Sequence, residues 1–135
     1  MKKELSNLTK EQIELLEKEV GVDACTFFKN RILLVTVNQT VTVHSSEDEK
    51  EDFTLNAWKA DFKRANNIDY IIGLRHGIIV GCYKVEGIGF RKDGRIFFSN
   101  RDVNGNKIRI NSFNGLDLHK LKLKTNKAEI QYLNC

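Results

Sequence analysis

The chain of 135 residues is 41% hydrophobic, so it is predicted to bury one core and to form a single compact domain. It contains no run of the ~20 consecutive apolar residues that a membrane helix requires. Charged and polar residues follow Met1, where a secretory signal would place an apolar segment. These features exclude a membrane-spanning protein and predict a soluble, cytoplasmic one.

The net charge of +4 conceals an asymmetry along the chain. Residues 1–68 carry 10 Lys and Arg against 12 Asp and Glu, which gives −2, whereas residues 69–135 carry 12 against 6, which gives +6. A basic half of this kind suits a polyanionic partner such as nucleic acid. A basic face that only meets solvent would have the same composition, so both interpretations stay open.

The first predicted element is an N-terminal helix over 9–20. Thr9 and Gln12 have the spacing of a capping box. Ile13, Leu16 and Val20 then repeat at helical spacing, and Gly21 follows as a stop signal. We expect residues 1–30 to form this amphipathic helix and a connection, which pack on a second unit formed by residues 31–135.

Two contrasting segments come next. The apolar and β-branched run over 31–37 predicts a buried strand. Residues 45–52 contain five acidic residues, one lysine and no apolar residue, so they are predicted to form a mobile acidic loop.

A second short helix is predicted over 54–65, where Leu55, Trp58 and Phe62 repeat at helical spacing and Asn66 and Asn67 act as a stop. The only tryptophan of the chain lies in this segment. The helical spacing of Trp58 with Leu55 and Phe62 favours a role as a core anchor. The alternative is that Trp58 forms the wall of a ligand pocket.

From residue 69 onward the pattern predicts strands, over 70–74, 78–85, 95–98, 107–111, 118–123 and 128–133. The intervening turn signals are His76-Gly77, Asp93-Gly94, Asn104-Gly105 and Asn114-Gly115. The predicted fold class is therefore α+β: a small, mostly antiparallel, partly closed β-barrel with one N-terminal helix and a short helix near its mouth.

No pattern in the sequence predicts catalysis, a metal site or a cofactor. The three cysteines and three histidines are dispersed without ligand spacing. Gly87-Ile88-Gly89 lacks the other parts of a phosphate loop and is predicted to be a turn or bulge. Cys82 lies within a predicted strand and is expected to be a core residue rather than a nucleophile. We therefore expect a protein that is not an enzyme.

Basic side chains alternate with aromatic ones in the second half of the chain. Strand-borne aromatics can stack on bases while neighbouring cations contact phosphates. Alternatively, the aromatics fill the barrel and the cations are solvated. The candidate phosphate contacts are Arg75, Lys84, Arg91, Lys92, Arg95, Arg101, Lys107 and Arg109.

The order of motifs over residues 31–135 resembles the PUA-like superfamily, and within it the EVE-like modules. The motifs are a strand that ends in Asn38, a Thr-x-x-x-Trp segment that ends in Trp58, and a strand-Gly-strand unit over 70–85. A Gly-Arg-x-x-Phe strand over 94–98 and a closing Ile-x-Tyr-x-Asn-Cys segment over 130–135 complete the set.

This resemblance implies a PUA-like barrel whose pocket holds a modified or flipped base. Trp58 would then be the stacking wall, Asn38 would bind the base edge, and Tyr83 would lie nearby. Relatives have Thr-Arg-Gly-x-Trp where this chain has Thr54-Leu55-Asn56-Ala57-Trp58, so Asn56 would replace the missing arginine only in part.

The sequence therefore predicts a non-catalytic nucleic-acid-binding module, with DNA expected ahead of RNA and a nuclease or defence protein as a further partner. One alternative is a phage- or defence-related interaction or inhibitor protein that uses the same scaffold and its acidic segment to bind a protein. A second alternative is a receptor for a free nucleotide-like molecule.

Overall fold

The structure, a computed structural model, describes residues 22–23, 30–37, 40–42, 44–56, 58–110, 114–115, 121–122 and 130–133. The predicted N-terminal helix over 9–20 and Asn38 lie outside these residues. The described part contains eight strands and two helices. In chain order they are β1 (Val22–Asp23), β2 (Ile32–Thr36), α1 (Glu47–Leu55), α2 (Phe62–Ala65), β3 (Tyr70–Arg75), β4 (Ile78–Lys84), β5 (Gly87–Phe90), β6 (Ile96–Ser99), β7 (Leu121–Lys122) and β8 (Ile130–Leu133).

The central sheet has four strands in the order β4-β3-β2-β8. β2 pairs parallel with β3, because the connection between them crosses over through both described helices, and the other two pairs in this sheet are antiparallel. β5 and β6 form an antiparallel ribbon, and β1 and β7 form a short parallel pair. The described chain thus has an α+β fold with mostly antiparallel pairs, and its sheets are open. None of the described helices is long and apolar enough to cross a membrane.

The centre of the sheet is buried on both faces, as the continuous apolar run in β2 predicts. Leu33 and Ile71 belong to the core on the α1 side, while Ile32 and Ile72 are buried on the opposite face. Cys82 is also buried and has a free thiol, whose pKa is raised by burial. The prediction of a core cysteine is confirmed.

Helix α1 packs on β3 and β4 where both strands carry glycine. Gly73 and Gly81 are register partners in the β3–β4 pair. A Cβ atom at Gly73 would lie 2.5 Å from Oγ1 of Thr54, and one at Gly81 would meet the ring of Tyr83. The two glycines therefore make the space into which α1 and the Tyr83 ring fit.

The prediction of a mobile acidic loop over 45–52 is wrong, because most of this segment belongs to α1. The helix begins with a capping box: Ser46 Oγ accepts a hydrogen bond from the Glu49 amide (3.1 Å), and Glu49 Oε1 accepts one from the Ser46 amide (3.0 Å). Acidic residues in the first turn suit the positive end of the helix dipole. The capping box and the ion pairs stabilise this helix, so it forms without the apolar periodicity by which a helix is predicted from sequence.

The single helix predicted over 54–65 is also wrong. α1 ends at Leu55, and Asn56 has extended backbone angles (φ −128°, ψ 136°). Trp58 then pairs with β6, and only Phe62–Ala65 returns to helix. The predicted stop is correct, since Asn66 caps α2.

The predicted strand positions over 70–74, 78–85, 95–98 and 128–133 correspond to β3, β4, β6 and β8. Gly87-Ile88-Gly89 belongs to β5 instead of the predicted turn or bulge, and the ring of Phe97 occupies the space above Gly89. Lys107 and Arg109 make isolated bridges and do not form the predicted strand. The predicted turn at His76-Gly77 is confirmed, with φ of 52° and 80° as a type I′ turn requires.

Candidate nucleic-acid interface

The segment after α1 is fixed to the β5–β6 ribbon by two backbone hydrogen bonds. The Trp58 amide donates to the Ile96 carbonyl, and the Ile96 amide donates to the Trp58 carbonyl, each at 2.9 Å. This pairing is antiparallel, so the two segments run in opposite directions past the bridge. Lys59, which follows Trp58, and Arg95, which precedes Ile96, therefore lie on the same side of the bridge. Two segments that are far apart in sequence, 59–64 and 90–95, therefore lie beside each other.

These two segments bring together six cations and two carboxylates, a local net charge of +4. We call this set of cations the basic surface: Lys59, Lys63, Arg64, Arg91, Lys92 and Arg95. Three of its members come from the half of the chain whose overall charge is negative. The sequence reveals the individual cations, but only the Trp58–Ile96 bridge places the two groups together.

The ion pairs within the basic surface leave it with a positive excess. Asp93 forms ion pairs with both Arg91 (3.4 Å) and Arg95 (3.8 Å), so one carboxylate faces two guanidinium groups. Lys59, Lys63 and Lys92 are exposed and form no ion pair with another described residue. Exposed pairs of this kind are weak and exchange readily for another anion.

Two exposed aromatic residues belong to the same two segments as the basic surface. Phe62 begins α2 and Phe90 ends β5, and their ring centroids are 5.1 Å apart with an angle of 34° between the planes. The residues are 46% and 58% exposed, respectively. The helical spacing of Phe62 with Leu55 and Trp58 predicts a buried position for its side chain, so the sequence does not indicate this exposed pair.

The predicted stacking residue Trp58 is buried, with 7% of its surface exposed. Its indole N–H donates to the Thr54 carbonyl at 2.8 Å. The residue belongs to the core cluster on the α1 side of the sheet. The preferred interpretation of Trp58 as a core anchor is confirmed, and its role as a base-stacking wall stays a prediction.

The predicted pocket residue Tyr83 is buried in the same cluster. Its hydroxyl has no hydrogen-bond partner among the described residues. Burial, and then the nearby negative charges of Glu51 and Glu47, raise the pKa of this phenol. Tyr83 is therefore a neutral core residue whose only polar side-chain atom has no hydrogen-bond partner within the described part of the chain.

The two asparagines predicted to bind a base differ in what the structure describes. Asn38 lies outside the described residues. Asn56 is exposed and caps the C-terminus of α1: its backbone amide donates to the Asp52 carbonyl at 3.0 Å, and its side-chain amide donates to the same oxygen at 3.4 Å. The Asn56 side chain thus has a local structural partner.

Lys107 and Arg109, two of the predicted phosphate contacts, form ion pairs with α1. Arg109 pairs with Glu51 through Nε and with Asp48 through Nη2 at 2.8 Å. Lys107 lies 3.2 Å from Glu51 and 3.7 Å from Asp48. Hydrogen bonding to Arg109 and the charge of Lys107 lower the pKa of Asp48, and the bonds to Glu51 and Asp48 raise the pKa of Arg109.

The other predicted phosphate contacts are distributed over several elements. Arg75 donates from Nε to the Val41 carbonyl at 3.1 Å. Lys84 pairs with Glu86 at 3.4 Å, and Arg101 donates to the Gly105 carbonyl at 2.9 Å. Of the eight predicted cations, the structure therefore brings Arg91, Lys92 and Arg95 together at the basic surface. Lys107 and Arg109 form a separate group against α1.

Among the described residues, no three or more His, Cys, Asp or Glu side chains are grouped as a metal site requires. The basic surface offers positive charge, guanidinium and ammonium donors, and flat apolar rings. Comparison of the chain with protein-family models, with curated proteins and with solved structures gave no match.

Proposed function

We propose that the protein is a non-catalytic nucleic-acid-binding module and that the basic surface is its contact with phosphates. The observation that carries this proposal is the juxtaposition of six cations with two carboxylates across the Trp58–Ile96 bridge. Nucleic-acid affinity depends mainly on phosphate neutralisation by Lys and Arg. The excess positive charge on a fixed backbone supports this function over binding of a neutral ligand.

The position of the basic surface also favours binding without rearrangement of the fold. Lys59, Lys63 and Lys92 are exposed, so a phosphate can approach them without breaking a buried contact. Lys107 and Arg109 are different, because a phosphate would compete with Asp48 and Glu51 for them. We therefore assign the phosphate contacts first to the basic surface.

The PUA-like barrel remains part of the proposal. The bridge of Tyr83 with Arg109 connects β4 to the segment 107–110, and the bridge of Arg101 with Lys107 connects that segment to the end of β6. These pairings support a continuous curved wall from β4 to β6. A modified or flipped base would bind on the concave side of such a wall, as the family resemblance implies.

The finer proposal that an extruded base stacks on Trp58 requires this buried ring to become accessible. Since Trp58 is the only tryptophan, its fluorescence reports on this contact. Quenching by duplexes that carry a modified base would support the pocket. Unchanged emission on binding would limit the contact to the exposed basic surface.

The test of the function is a fluorescence-anisotropy titration of labelled nucleic acid over a range of salt concentrations. We expect binding at ~50 mM salt that weakens steeply as salt increases. The double variant Lys63→Gln/Lys92→Gln should reduce the salt slope by ~2, about one for each phosphate contact. Lys50→Gln is the control, since Lys50 is a cation on α1 that pairs with Glu47.

Absence of binding to single-stranded and duplex probes at low salt would contradict the proposal. An effect of Lys50→Gln as large as half that of the double variant would also contradict it, since each removed charge would then count equally and the attraction would depend on overall charge. Retention of a protein partner in a nuclease-treated lysate, without any binding to the probes, would favour the interaction-protein alternative.

A further inference from the structure

We infer that the Phe62–Phe90 pair is a stacking site for an unpaired nucleobase, so the preferred ligand of the basic surface is single-stranded nucleic acid or an unpaired segment. This inference rests on the proposed function and specifies its ligand class. It depends on the exposure of the two rings, on the rigidity of the backbone that carries them and on the charge around them.

The exposure of the two rings is not explained by the core. Phe62 and Phe90 contact each other, yet about half of each residue remains accessible. Each ring presents apolar surface of the kind that proteins bury on folding or use in binding. The pair therefore offers an aromatic surface to a flat ligand.

The backbone that carries Phe62 is held in place from β8. Asp61 caps α2 through a hydrogen bond from the Lys63 amide to Asp61 Oδ1 (2.9 Å), and the Asp61 amide donates to the Tyr132 hydroxyl at 3.1 Å. The guanidinium group of Arg64 lies 3.9 Å from the centre of the Tyr132 ring. These contacts on both sides of Phe62 fix its position relative to the sheet.

Phe90 is fixed by the β5–β6 ribbon. It is the register partner of Ile96, which is buried and bonded to Trp58. The Arg91 amide donates to the Arg95 carbonyl at 2.8 Å and closes the turn, in which Gly94 has φ of +85°. A site fixed in this way loses little conformational entropy when a ligand binds.

The charge around the rings specifies an anionic ligand. Lys63 follows Phe62 directly, and Arg91 and Lys92 follow Phe90. A flat aromatic group with a phosphate at each side is a nucleotide within a strand, and stacking on aromatic side chains tolerates any base. Within a duplex the base faces are covered by neighbouring pairs, so away from the duplex ends the rings could contact only an unpaired base.

The test compares a labelled single strand of ~12 nucleotides, a length within the range of single-strand-binding sites, with a blunt duplex of the same length. The variant Phe62→Leu/Phe90→Leu keeps apolar side chains but removes the flat rings. Phe97→Leu is the matched control, because Phe97 is also an exposed aromatic of this ribbon but lies on its other face, over Gly89. DNA and RNA strands are tested in parallel.

We expect the single strand to bind at least about tenfold more tightly than the duplex at the same salt concentration. In Phe62→Leu/Phe90→Leu, this preference for the single strand should disappear. Phe97→Leu should keep the wild-type preference. Equal binding of strand and duplex, or an unchanged preference in the double variant, would overturn the inference. If one of these results is found and Lys63→Gln/Lys92→Gln still weakens binding, the proposed function stays in place without the stacking site. If neither probe binds at all, the proposed function and the inference are both overturned. Circular dichroism and thermal denaturation verify that each variant is folded.

Discussion

Trp58 and Ile96 exchange both of their backbone hydrogen bonds, and through this one bridge the chain places residues 59–64 beside residues 90–95. The bridge connects the end of α1 to the β5–β6 ribbon. Both residues are buried, so the connection is part of the core. The basic surface and its exposed phenylalanines are thus carried by a rigid part of the fold.

The close approach of α1 to the sheet predicts that Gly73→Ala destabilises the protein. The new methyl group would lie 2.5 Å from Thr54 Oγ1, which itself donates to the Lys50 carbonyl at 2.7 Å. We expect a loss of about 1–3 kcal/mol in the free energy of unfolding, measured by urea denaturation. Gly87→Ala, where no atom lies within 4 Å of the new Cβ, should have little effect. Equal effects of the two substitutions would contradict this account of the packing.

The unsatisfied hydroxyl of Tyr83 predicts that Tyr83→Phe leaves the stability unchanged or increases it by up to about 1 kcal/mol, because a buried polar group without a partner costs free energy. Tyr132→Phe is the comparison, since the Tyr132 hydroxyl accepts a hydrogen bond from the Asp61 amide. This second variant should lose about 0.5–1.5 kcal/mol. Thermal denaturation measures both. A large loss in Tyr83→Phe would mean that the hydroxyl has a partner beyond the described residues.

The ion pairs beneath α1 predict that Glu51→Ala is destabilising. Glu51 is 3% exposed and is the buried partner of both Lys107 and Arg109. Since the two cations keep partial access to solvent, we expect a loss of about 1–3 kcal/mol, below the range for a fully buried pair. Asp48→Asn should have a much smaller effect because the Asp48 side chain is 78% exposed. Urea denaturation of both variants tests this order, and the reverse order would contradict it.

The first turn of α1 predicts a dependence of stability on acidic pH. Arg109 and Lys107 lower the pKa of Asp48, and hydrogen bonds from the Ser46 amide and hydroxyl lower that of Glu49. These carboxyls bind protons more readily in the unfolded state, so their contribution is present above the ordinary carboxyl range and is lost as the pH falls through it. Between about pH 5 and about pH 3, the wild type should lose more stability than Asp48→Asn/Glu49→Gln. Urea midpoints that fall in parallel would contradict the assignment.

The sequence predicted the strands that have a continuous apolar pattern and clear turns, such as β3 and β4 around His76 and Gly77. The prediction for the segment that forms α1 was wrong, because this helix is stabilised by a capping box and by ion pairs with Lys107 and Arg109. The Ser46-x-x-Glu49 spacing was the available signal. β5 was missed because two glycines weaken its strand pattern, although Gly89 is needed beneath the Phe97 ring.

The candidate site was predicted only in part. Alternation of aromatic and basic residues pointed to Arg91, Lys92 and Arg95. It could not identify Lys59 and Lys63, because their proximity depends on a backbone bridge between distant segments. Trp58 was correctly expected in the core, but for the wrong reason, since it pairs with β6 and does not lie on a helix.

An NMR titration with a single-stranded oligonucleotide shows directly which residues contact nucleic acid, and the mass of 15.6 kDa suits this method for the isotopically labelled protein. We expect the largest amide shifts to cluster in residues 59–64 and 90–95. The amides around Lys107 and Arg109 should change little. Shifts centred on α1 and on residues 107–109, or the absence of any localised shift on binding, would contradict the proposed contact.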